Sequence, residues 1–533
     1  MSSSIHQQLS GKKVAFLSTF TKTGLESVAK ALVESGYLLL STGGTFKYLT
    51  EKGFEVKETS EITGFDELLG GRVKSLHPEI FAGILAERDK PDHQVPFTLD
   101  TVVVNLYPFE QERDTDAAKN DPNHLLHFID IGGSALIRAA AKNYLSVNIL
   151  CDPAQYAEFV TELQQGKGET SKIFRQRLAQ TAFQRSIAYE TAIGKYFDGL
   201  VAQQDGESNP EALPDQVTLS LQKIQDLRYG ENPHQKAALY GLGHQTTDFE
   251  LLHGKELSYN NILDMEAGWA IATEFVESPA CAVIKHNNPC GVAISHKSID
   301  DAYRTAFMAD SLSAFGGIVA VNQPVNAVMA KEMKEVFLEV IIAPDFAPEA
   351  FETLSAKKNL RLVKRPLPEH TGQPKINYKH VSADLFLVQT ETKPQETKIE
   401  QLLAENGLQT VTSNKPSQEQ LQDMVFAWKV VKHVKSNAVV LVRDGKTVGI
   451  GGGQTSRIGA LENAIKQACD EATDAVLASD GFLPHEDNIH AALQARVGAI
   501  IQPGGSIKDK DIIALADQHN LPIVTTGFRE FRH

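Results

Sequence analysis

Short runs of β-branched and other apolar residues alternate with amphipathic stretches through the first 200 residues, and this alternation constrains the fold more than any other feature. The stretch 24–36 places Leu25, Val28 and Leu32 at helical spacing and ends at a glycine, as helices commonly do. Such alternation is typical of an α/β domain with a mostly parallel sheet. We therefore predict strands over residues 14–18, 37–40, 101–106 and 147–151.

A chain of 533 residues is too long for one hydrophobic core, and a polar stretch marks where it divides. Residues 201–216 lose the periodicity and gather Pro, Gly, Asp and Gln. Beyond them the α/β pattern returns, with a predicted hairpin over 438–449 that turns at Asp444-Gly445. We predict two domains, over residues 1–200 and 201–533. Inside the second, residues 391–420 are predicted to connect two subdomains.

The overall charge and the cysteine spacing exclude several classes of protein. The 67 acidic residues outnumber the 52 basic residues, so the net charge of −15 would repel a nucleic-acid backbone. The four cysteines lack CxxC spacing, which argues against a disulfide framework or a zinc knuckle and favours a reducing compartment. No stretch of about 18 apolar residues is present, and residues 1–13 lack the apolar core of a signal peptide. We expect a cytoplasmic protein that binds neither nucleic acid nor membrane.

Two loops that follow predicted strands carry hydroxyls, glycines and a lysine. Ser41-Thr42-Gly43-Gly44-Thr45 opens a predicted helix, where backbone N–H groups and threonine hydroxyls can surround a phosphate. Ser18, Thr21 and Lys22 follow another strand and would reach the same carboxyl edge of the sheet, where ligands bind in open α/β folds. A tight turn that needs glycine for its backbone is the alternative, and the presence of two such loops favours phosphate.

Residues 70–78 form a basic loop between glycines and a proline. Arg72 and Lys74 are separated by one residue, so an extended backbone points both side chains to one side, where they can hold one anion. A solvated basic loop is the alternative.

Asp130 precedes a predicted helix over 134–143, in which Ser134, Arg138 and Lys142 share one face. Taken singly, a carboxylate at a helix start is most often a cap, and a lysine at a helix end is most often solvated. Their chemistry alone therefore leaves a structural role open for both.

Lys285-His286 ends a strand predicted over 282–286 and is followed by Asn-Asn-Pro. A histidine can act as a base near neutral pH, and the adjacent lysine can stabilise developing negative charge. A lone histidine is more often structural, but the adjacent lysine brings the catalytic and the structural interpretation to about equal weight. Residues 227–235 are dense in hydrogen-bonding side chains and suit either a binding site or a capped surface loop.

The motifs for triphosphate and metal binding are incomplete. Gly445-Lys446-Thr447 has Val440 where a P-loop requires its first glycine. His485 and His490 are five residues apart, whereas two zinc ligands on one helix face need a spacing of four. We expect no metal site.

Taken together, these segments resemble one family along nearly the whole chain. The chain is similar to the bifunctional purine-biosynthesis enzymes that combine AICAR formyltransferase with IMP cyclohydrolase. The segments that carry the resemblance are KTGLE, STGGT, GGRVKSLHP, NLYPF, IDIGG with RAAAKN, LRYGENPHQ, IKHNNPCGVA, AFGGIVA, IIAPDF, KSNAVVL, GGGQTSRI, IIQPGGSIKD and FREFRH.

The resemblance implies an α/β enzyme for the last two steps of inosinate synthesis. Its first part would be a methylglyoxal-synthase-like cyclohydrolase domain, and its second a formyltransferase domain of two cytidine-deaminase-like subdomains without zinc. The ligands would be AICAR, formyl-AICAR, IMP and the cosubstrate 10-formyltetrahydrofolate, a reduced folate. A homodimer with formyltransferase sites across its interface is expected. The alternative is a catalytically impaired, nucleotide-binding regulatory protein of the same fold.

The resemblance also assigns residues to the cyclohydrolase. Those that would hold the nucleotide are Ser18, Lys22, Thr42, Gly43, Gly44, Thr45, Arg72, Lys74, Ser75 and Asn105. Those that would surround the reacting base are Lys142, Asp130, Lys74 and Tyr107, with Asp130 orienting the carboxamide or pairing with Lys142.

In the formyltransferase, the resemblance makes His286 the proton acceptor, Lys285 the assisting cation and Asn437 the residue that orients the formyl group. The nucleotide contacts would be Arg228, Tyr229, Gly316, Glu339, Arg457 and Arg529. The folate contacts would be Ile458, Phe482, Asp487, Asn488, Ser506 and Ile507. The sequence departs from the family pattern at residues 19–21, at Ser75 and at 481–486, where Glu486 replaces an arginine.

Overall fold

The computed structural model describes residues 2–65, 75–90, 95–121, 123–204, 213, 215–242, 246–368, 376–390 and 409–533. Contacts between residues divide the chain into two compact units. The first comprises Met1–Ala212 with Gln216–Thr218, and the second Leu213–Asp215 with Leu219–His533.

The first unit is built on a parallel sheet of five strands in the order β3-β2-β1-β4-β5. The strands are β1 (Lys13–Thr19), β2 (Tyr37–Ser41), β3 (Val56–Glu58), β4 (Thr101–Asn105) and β5 (Asn148–Leu150). The helices are α1 (Ser2–Leu9), α2 (Leu25–Glu34), α3 (Gly43–Glu51), α4 (Thr59–Thr63), α5 (Pro78–Leu85), α6 (Phe109–Arg113), α7 (Asp116–Asn120), α8 (Ile131–Lys142), α9 (Tyr156–Gln165) and α10 (Lys172–Gln204). The α/β prediction for this region is confirmed: the four predicted strands are β1, β2, β4 and β5, whereas β3 was not predicted.

The strand order of the first unit determines where a ligand can bind. The central strands are apolar on both faces, as in β1, where the side chains of residues 14–17 are all fully buried under helices. β2, β1 and β4 are neighbours and run the same way, so the loops that follow them meet at one carboxyl edge. The N-terminus of α8 reaches this edge too, because α8 leads back to the start of β5.

The second unit contains a mixed sheet of twelve strands in the order β16-β21-β20-β19-β17-β18-β10-β9-β11-β12-β13-β8. The strands of its first half are β8 (Glu250–His253), β9 (Ala280–Lys285), β10 (Asn288–Ile294), β11 (Ile318–Val321), β12 (Val340–Ala343) and β13 (Arg361–Lys364). Those of its second half are β16 (Gln409–Thr410), β17 (Val439–Arg443), β18 (Lys446–Gly451), β19 (Val476–Ser479), β20 (Ala499–Gln502) and β21 (Ile523–Thr525).

Helices cover both faces of this sheet, and two separate hairpins extend from it. The helices are α11 (Tyr259–Ala272), α12 (Ile299–Ala309), α13 (Ala327–Glu335), α14 (Pro348–Ser355), α15 (Gln418–Val431), α16 (Arg457–Ala468), α17 (Glu486–Gln494) and α18 (Asp509–Gln518). The hairpins are β6 (Leu221–Leu227) with β7 (Ala237–Leu242), and β14 (Ile376–Ser382) with β15 (Leu385–Thr390). The hairpin predicted at Asp444-Gly445 is confirmed as β17 and β18.

The two halves of the large sheet repeat one another, which confirms the two expected subdomains. Read inward from either edge, the sheet shows the same succession of equivalent strands. The only two tryptophans of the chain, Trp269 and Trp428, occupy equivalent buried positions in α11 and α15. A Cβ atom at Gly291 would lie 2.1 Å from a helix carbonyl oxygen, and one at Gly449 would meet the equivalent helix at the same 2.1 Å. The sequence motif D-M-x-x-x-W marks both copies, at 264–269 and 423–428.

None of the helices in the described ranges is long and apolar enough to cross a membrane.

Candidate active sites

In the first unit, the hydroxyl of Thr45 joins the two loops that were predicted to share an edge. Its Oγ1 accepts a hydrogen bond from the N–H of Thr19 at 3.0 Å and donates one to the carbonyl oxygen of Thr19 at 3.1 Å. Lys22 Nζ donates to the same Oγ1 at 2.8 Å. The loop after β1 and the start of α3 are therefore one structure, with an ammonium group beside a helix N-terminus, an arrangement suited to an anion.

Asn105, at the end of β4, extends this edge. Its Oδ1 accepts hydrogen bonds from the N–H groups of Phe20 at 2.6 Å and Thr21 at 2.9 Å, and its Nδ2 donates to the carbonyl oxygen of Thr21 at 3.1 Å. The ring of Tyr107 packs edge-on against Phe20, with 5.4 Å between ring centroids. Asn105 and Tyr107 both line a cavity of about 160 Å³.

Asp130 is the N-cap of α8, so the structural role that the sequence left open is present. Its Oδ1 accepts a hydrogen bond from the N–H of Gly133 at 2.6 Å. A Cβ atom at Gly133 would lie 2.5 Å from this carboxylate, and one at Gly132 would lie 3.0 Å from Ser75 Oγ. The glycine pair thus lets Ser75 and Asp130 approach the same helix end.

Tyr189 is a site residue that sequence reasoning missed. Its hydroxyl accepts a hydrogen bond from the N–H of Asp130 at 2.8 Å and donates to the carbonyl oxygen of Phe128 at 2.5 Å. Burial raises the pKa of Tyr189 to about 12, so the phenol stays protonated at neutral pH. It lines the same cavity as Tyr107. Tyr189 lies 59 residues from Asp130, and no local pattern links the two.

The structure does not bring Asp130 and Lys142 together within the chain, as one of the two roles expected of Asp130 would require. The two residues lie at opposite ends of α8, which is continuous over 12 residues, and a helix of that length rises about 18 Å. Lys142 is exposed at the amino edge of the sheet, where it lines a different, shallow cavity with residues of α10. Arg72 and Lys74 lie outside the described residues, whereas Ser75 is described and buried.

In the second unit, His286 occupies a two-residue turn between β9 and β10, so the predicted strand ends at Lys285. His286 and Asn287 both have left-handed backbone conformations, with φ of 54° and 63°. Lys285 Nζ donates a hydrogen bond to the carbonyl oxygen of Phe315. Gly316 follows, and a Cβ atom there would lie 3.5 Å from that Nζ, so glycine leaves space beside the ammonium group.

Helix α11 gathers further predicted residues around this turn. Asn261 Nδ2 donates to Glu339 Oε2 at 2.9 Å, and Asn260 Nδ2 donates to the carbonyl oxygen of Glu231 at 3.2 Å. The second contact attaches the loop that carries Arg228 and Tyr229, in which the guanidinium lies 5.6 Å from the ring centroid. Glu339 and this loop are therefore brought to one helix end.

Arg457 and Asn437 form a second group. Arg457 Nη1 pairs with Asp480 and donates to Ser479 Oγ at 2.8 Å, while Nη2 donates to Asn437 Oδ1 at 2.8 Å. Arg457 is 8% exposed and Asp480 is 0% exposed. The buried guanidinium thus fixes the side chain of Asn437, which also donates from Nδ2 to the carbonyl oxygen of Gln454 at 2.9 Å.

These residues open into a cavity of about 460 Å³ that includes most of the predicted folate contacts. Its lining is Asn437, Thr455, Ser456, Arg457, Ile458, Phe482, Pro484, His485, Asp487, Asn488, Arg529 and Phe531. The guanidinium of Arg529 lies 5.1 Å from the ring centroid of Phe482. Asn488 Oδ1 is buried in the wall and has no hydrogen-bond partner among the residues that the structure describes. Ser506 and Ile507 are not in this lining, and Ile507 is fully exposed.

The sequence departures at 481–486 lie partly in the cavity wall and partly outside it. His485 lines the cavity, whereas the side chain of Glu486 is exposed and outside the lining. The replacement of arginine by Glu486 therefore changes the outer surface.

The two groups of the second unit lie at one edge of the sheet. Asn288 Nδ2 donates to the carbonyl oxygen of His286 at 3.2 Å, and its Oδ1 accepts from the N–H of Lys435 at 3.5 Å. Lys435 is two residues before Asn437. The side chain of Asn288 thus links the backbone of the His286 turn to the segment that carries Asn437, although His286 itself is not among the residues that line the cavity. Within the described ranges, no group of three His, Cys, Asp or Glu side chains is arranged to hold a metal ion.

Comparisons with known proteins identify the family. A family model described as AICARFT/IMPCHase bienzyme matches residues 140–467, and one described as an MGS-like domain matches residues 24–133. Similar curated proteins named bifunctional purine biosynthesis protein PurH include one from Cyanothece sp., 45% identical over 98% of this chain and 99% of its own. Another, from Persephonella marina, is 43% identical over 98% of this chain and 100% of its own. A solved structure titled crystal structure of ForH is 30% identical and covers 35% of this chain and 100% of its own, with a TM-score of 0.31.

Proposed function

This chain belongs to the family of AICARFT/IMPCHase bienzymes, and we propose that its second unit transfers a formyl group to AICAR while its first unit closes formyl-AICAR to IMP. The pair of reactions is that of the bifunctional purine-biosynthesis enzymes to which the chain is similar over 98% of its length. A catalytically impaired regulatory protein is not favoured, because the chain keeps the Lys285-His286 pair and is similar to these enzymes over 98% of its length.

In formyl transfer, His286 acts as the base. The 5-amino group of AICAR is conjugated with the carboxamide and is a weak nucleophile, so removing its proton as it attacks lowers the barrier. A bond forms between this nitrogen and the formyl carbon, the bond from that carbon to the donor nitrogen breaks, and the donor nitrogen gains a proton. Lys285, whose ammonium group faces the space beside Gly316, stabilises the negative charge that develops on the formyl oxygen.

The formyl group comes from 10-formyltetrahydrofolate, and the cavity beside Asn437 suits a reduced folate. The Phe482 ring offers a stacking surface, and Asp487 supplies a carboxylate that can accept hydrogen bonds from a heterocycle. Asn437, held by Arg457, orients the formyl oxygen. We assign Ile458 and Asp487 to the same wall, and Ser506 and Ile507 to a folate contact completed in a homodimer.

The remaining formyltransferase residues hold the nucleotide. Arg228 and Arg529 supply positive charge for its phosphate, since bidentate guanidinium contacts suit phosphate oxygens. Tyr229 and Glu339 approach from the end of α11, where Glu339 can accept hydrogen bonds from ribose hydroxyls.

In cyclisation, the carboxamide nitrogen adds to the formyl carbon and water then leaves. The site must move protons and stabilise a tetrahedral oxyanion, and the hydroxyl of Tyr107 with the ammonium of Lys74 are suitable donors. Asp130 orients the carboxamide. The phosphate and ribose are held by Ser18, Lys22, Thr42, Gly43, Gly44, Thr45, Arg72, Ser75 and Asn105. Lys142 lies at the other end of α8, and we do not place it in this pocket.

The observation that carries the proposal is the link, through Asn288, between the His286 turn and the segment that carries Asn437. Purified protein with AICAR and 10-formyltetrahydrofolate is expected to release tetrahydrofolate and form IMP. In the cell, we place this reaction in the cytoplasm. His286→Ala is expected to abolish formyl transfer while the variant still cyclises added formyl-AICAR. Loss of both activities in a folded variant would show that this division of labour is wrong.

A further inference from the structure

We propose that Asp264 is a positioning residue for formyl transfer, because it holds the turn that presents the imidazole of His286. The inference rests on the proposed role of His286 as the base. Asp264 lies on α11, half-buried, and it belongs to none of the segments that carry the family resemblance.

The turn needs such a support. A left-handed conformation is unfavourable for residues with a Cβ atom, by about 1 kcal/mol each, and His286 and Asn287 adopt it in succession. The Asp264 Oδ1 atom accepts a hydrogen bond from the N–H of Asn287 at 2.6 Å. A carboxylate of the neighbouring helix thus holds the strained turn at the residue that follows His286.

The other half of the sheet contains an equivalent aspartate that holds an equivalent turn, but that turn carries no histidine. There Asp423, on the equivalent helix α15, accepts hydrogen bonds from the N–H groups of Asp444 at 2.9 Å and Gly445 at 2.8 Å. These two residues have φ of 54° and 68°, close to the values at His286 and Asn287. Both aspartates stand in the D-M-x-x-x-W motif. The carboxylate therefore stabilises this kind of turn in either half, but only Asp264 supports a turn that carries an imidazole.

The charges around His286 come from three elements. Asp264 faces it from α11, Lys285 precedes it on β9, and Glu339 approaches from the start of β12. Burial raises the pKa of Asp264, and nearby Glu339 adds to the rise, whereas the hydrogen bond from Asn287 and the charge of His286 oppose it. Replacing Asp264 by asparagine keeps the size of the side chain and one acceptor, but it turns the other oxygen into a donor group. The negative charge that holds the turn and faces His286 is then lost.

The experiment compares Asp264→Asn with Asp423→Asn, the same change in the other copy. For Asp264→Asn we expect kcat of formyl transfer to fall about tenfold or more, because small displacements of a catalytic group are costly, with KM for AICAR within about twofold. Cyclisation of added formyl-AICAR stays unchanged. Asp423→Asn is expected to lower the melting temperature as much as Asp264→Asn does, but to leave kcat within about twofold of the wild-type value.

A second-site change separates turn geometry from other effects. Asn287→Gly copies Gly445 and removes the Cβ penalty at positive φ. Added to Asp264→Asn, it is expected to restore kcat by about threefold or more, which a general loss of stability would not allow. If Asp264→Asn does not fold, Asp264→Glu takes its place, since it shifts the carboxylate by one methylene and should lower kcat in the same way.

Equal losses of kcat in the two aspartate variants, or wild-type kcat in Asp264→Asn, would overturn the inference. Retention of formyl transfer by His286→Ala would instead overturn the proposed function, whatever the result for Asp264.

Discussion

Arg457 and Asp480 form a buried ion pair in the second unit, and the equivalent of Asp480 in the other half of the sheet is neutral Asn322. Both side chains accept a hydrogen bond from the backbone N–H at the start of the neighbouring strand, at 3.2 Å from Ala438 and 2.8 Å from Ala280. The backbone contact is therefore shared, and the negative charge is found only in the half with the cavity. Its partner Arg457 holds Asn437.

Replacing Asp480 by asparagine copies the other half of the sheet. The backbone contact is kept, but the buried guanidinium loses its negative partner, so we expect the free energy of unfolding to fall by about 3 kcal/mol. Because Arg457 then no longer fixes Asn437, kcat/KM for formyl transfer should fall more than tenfold, by an order-of-magnitude estimate. Denaturant unfolding and initial rates measure the two effects.

The matched control is Asn322→Asp, which buries a carboxylate beside the carbonyl oxygens of Phe275 and Ser278, to which Asn322 Nδ2 donates hydrogen bonds. It should also lower stability, while the KM for AICAR stays the same. Wild-type formyl transfer in Asp480→Asn would contradict the role given to the pair.

Removing the hydroxyl of Tyr189 tests the contact that the sequence did not reveal. Tyr189→Phe takes away the acceptor for Asp130 N–H and the donor to Phe128, and it should lower the free energy of unfolding by about 1–2 kcal/mol. We expect slower cyclisation of formyl-AICAR and unchanged formyl transfer. Tyr48→Phe, which loses an exposed hydrogen bond to Glu26, is the control and should have little effect on either. Equal cyclisation rates in the two variants would contradict a role of Tyr189 in cyclisation.

The ionisation of buried tyrosines predicts an alkaline limit to stability. Burial raises the pKa values of Tyr37, Tyr156 and Tyr189 to about 12, above the ordinary tyrosine value of 10.0. Between these values the unfolded chain releases protons that the folded chain keeps, so stability is complete below pH 10 and falls as the pH rises toward 12. Absorbance of tyrosinate at pH 11 should be lower in native protein than in denatured protein. Coincident titration curves would refute this prediction.

The four thiols should differ in reactivity. Cys469 is exposed, whereas Cys151, Cys281 and Cys290 are buried. Burial raises the pKa values of Cys151 and Cys290 to about 12, so little thiolate exists there at neutral pH. A chromogenic disulfide reagent should react rapidly with one thiol in native protein and with four after unfolding. Cys469→Ser should abolish the rapid phase, and a rapid phase that persists would show that another cysteine is accessible.

Local patterns were sufficient to predict several parts of the candidate sites. The loops after β1 and β2 follow from apolar runs that end in glycine, serine and threonine, and the structure joins them through Thr45 and Lys22. The Lys285-His286 pair follows from its chemistry at a strand end. The repeat within the second unit is also present in the sequence, as D-M-x-x-x-W at 264 and 423, but the two copies are so far apart that no short-period pattern reveals them.

The sequence by itself determined the α/β class, the strands and turns, and the residues that carry chemistry, because these depend on the periodicity and conformational preferences of neighbouring residues. The tertiary structure alone decided which distant residues meet: Tyr189 with Asp130, Asp264 with the His286 turn, and Arg457 with Asp480. It also separated Asp130 from Lys142. The sequence places both on one helix, but only the structure shows that the carboxyl edge of the sheet lies at the Asp130 end of that helix. Such contacts depend on strand order and helix direction, which bring together or keep apart residues that no local pattern connects.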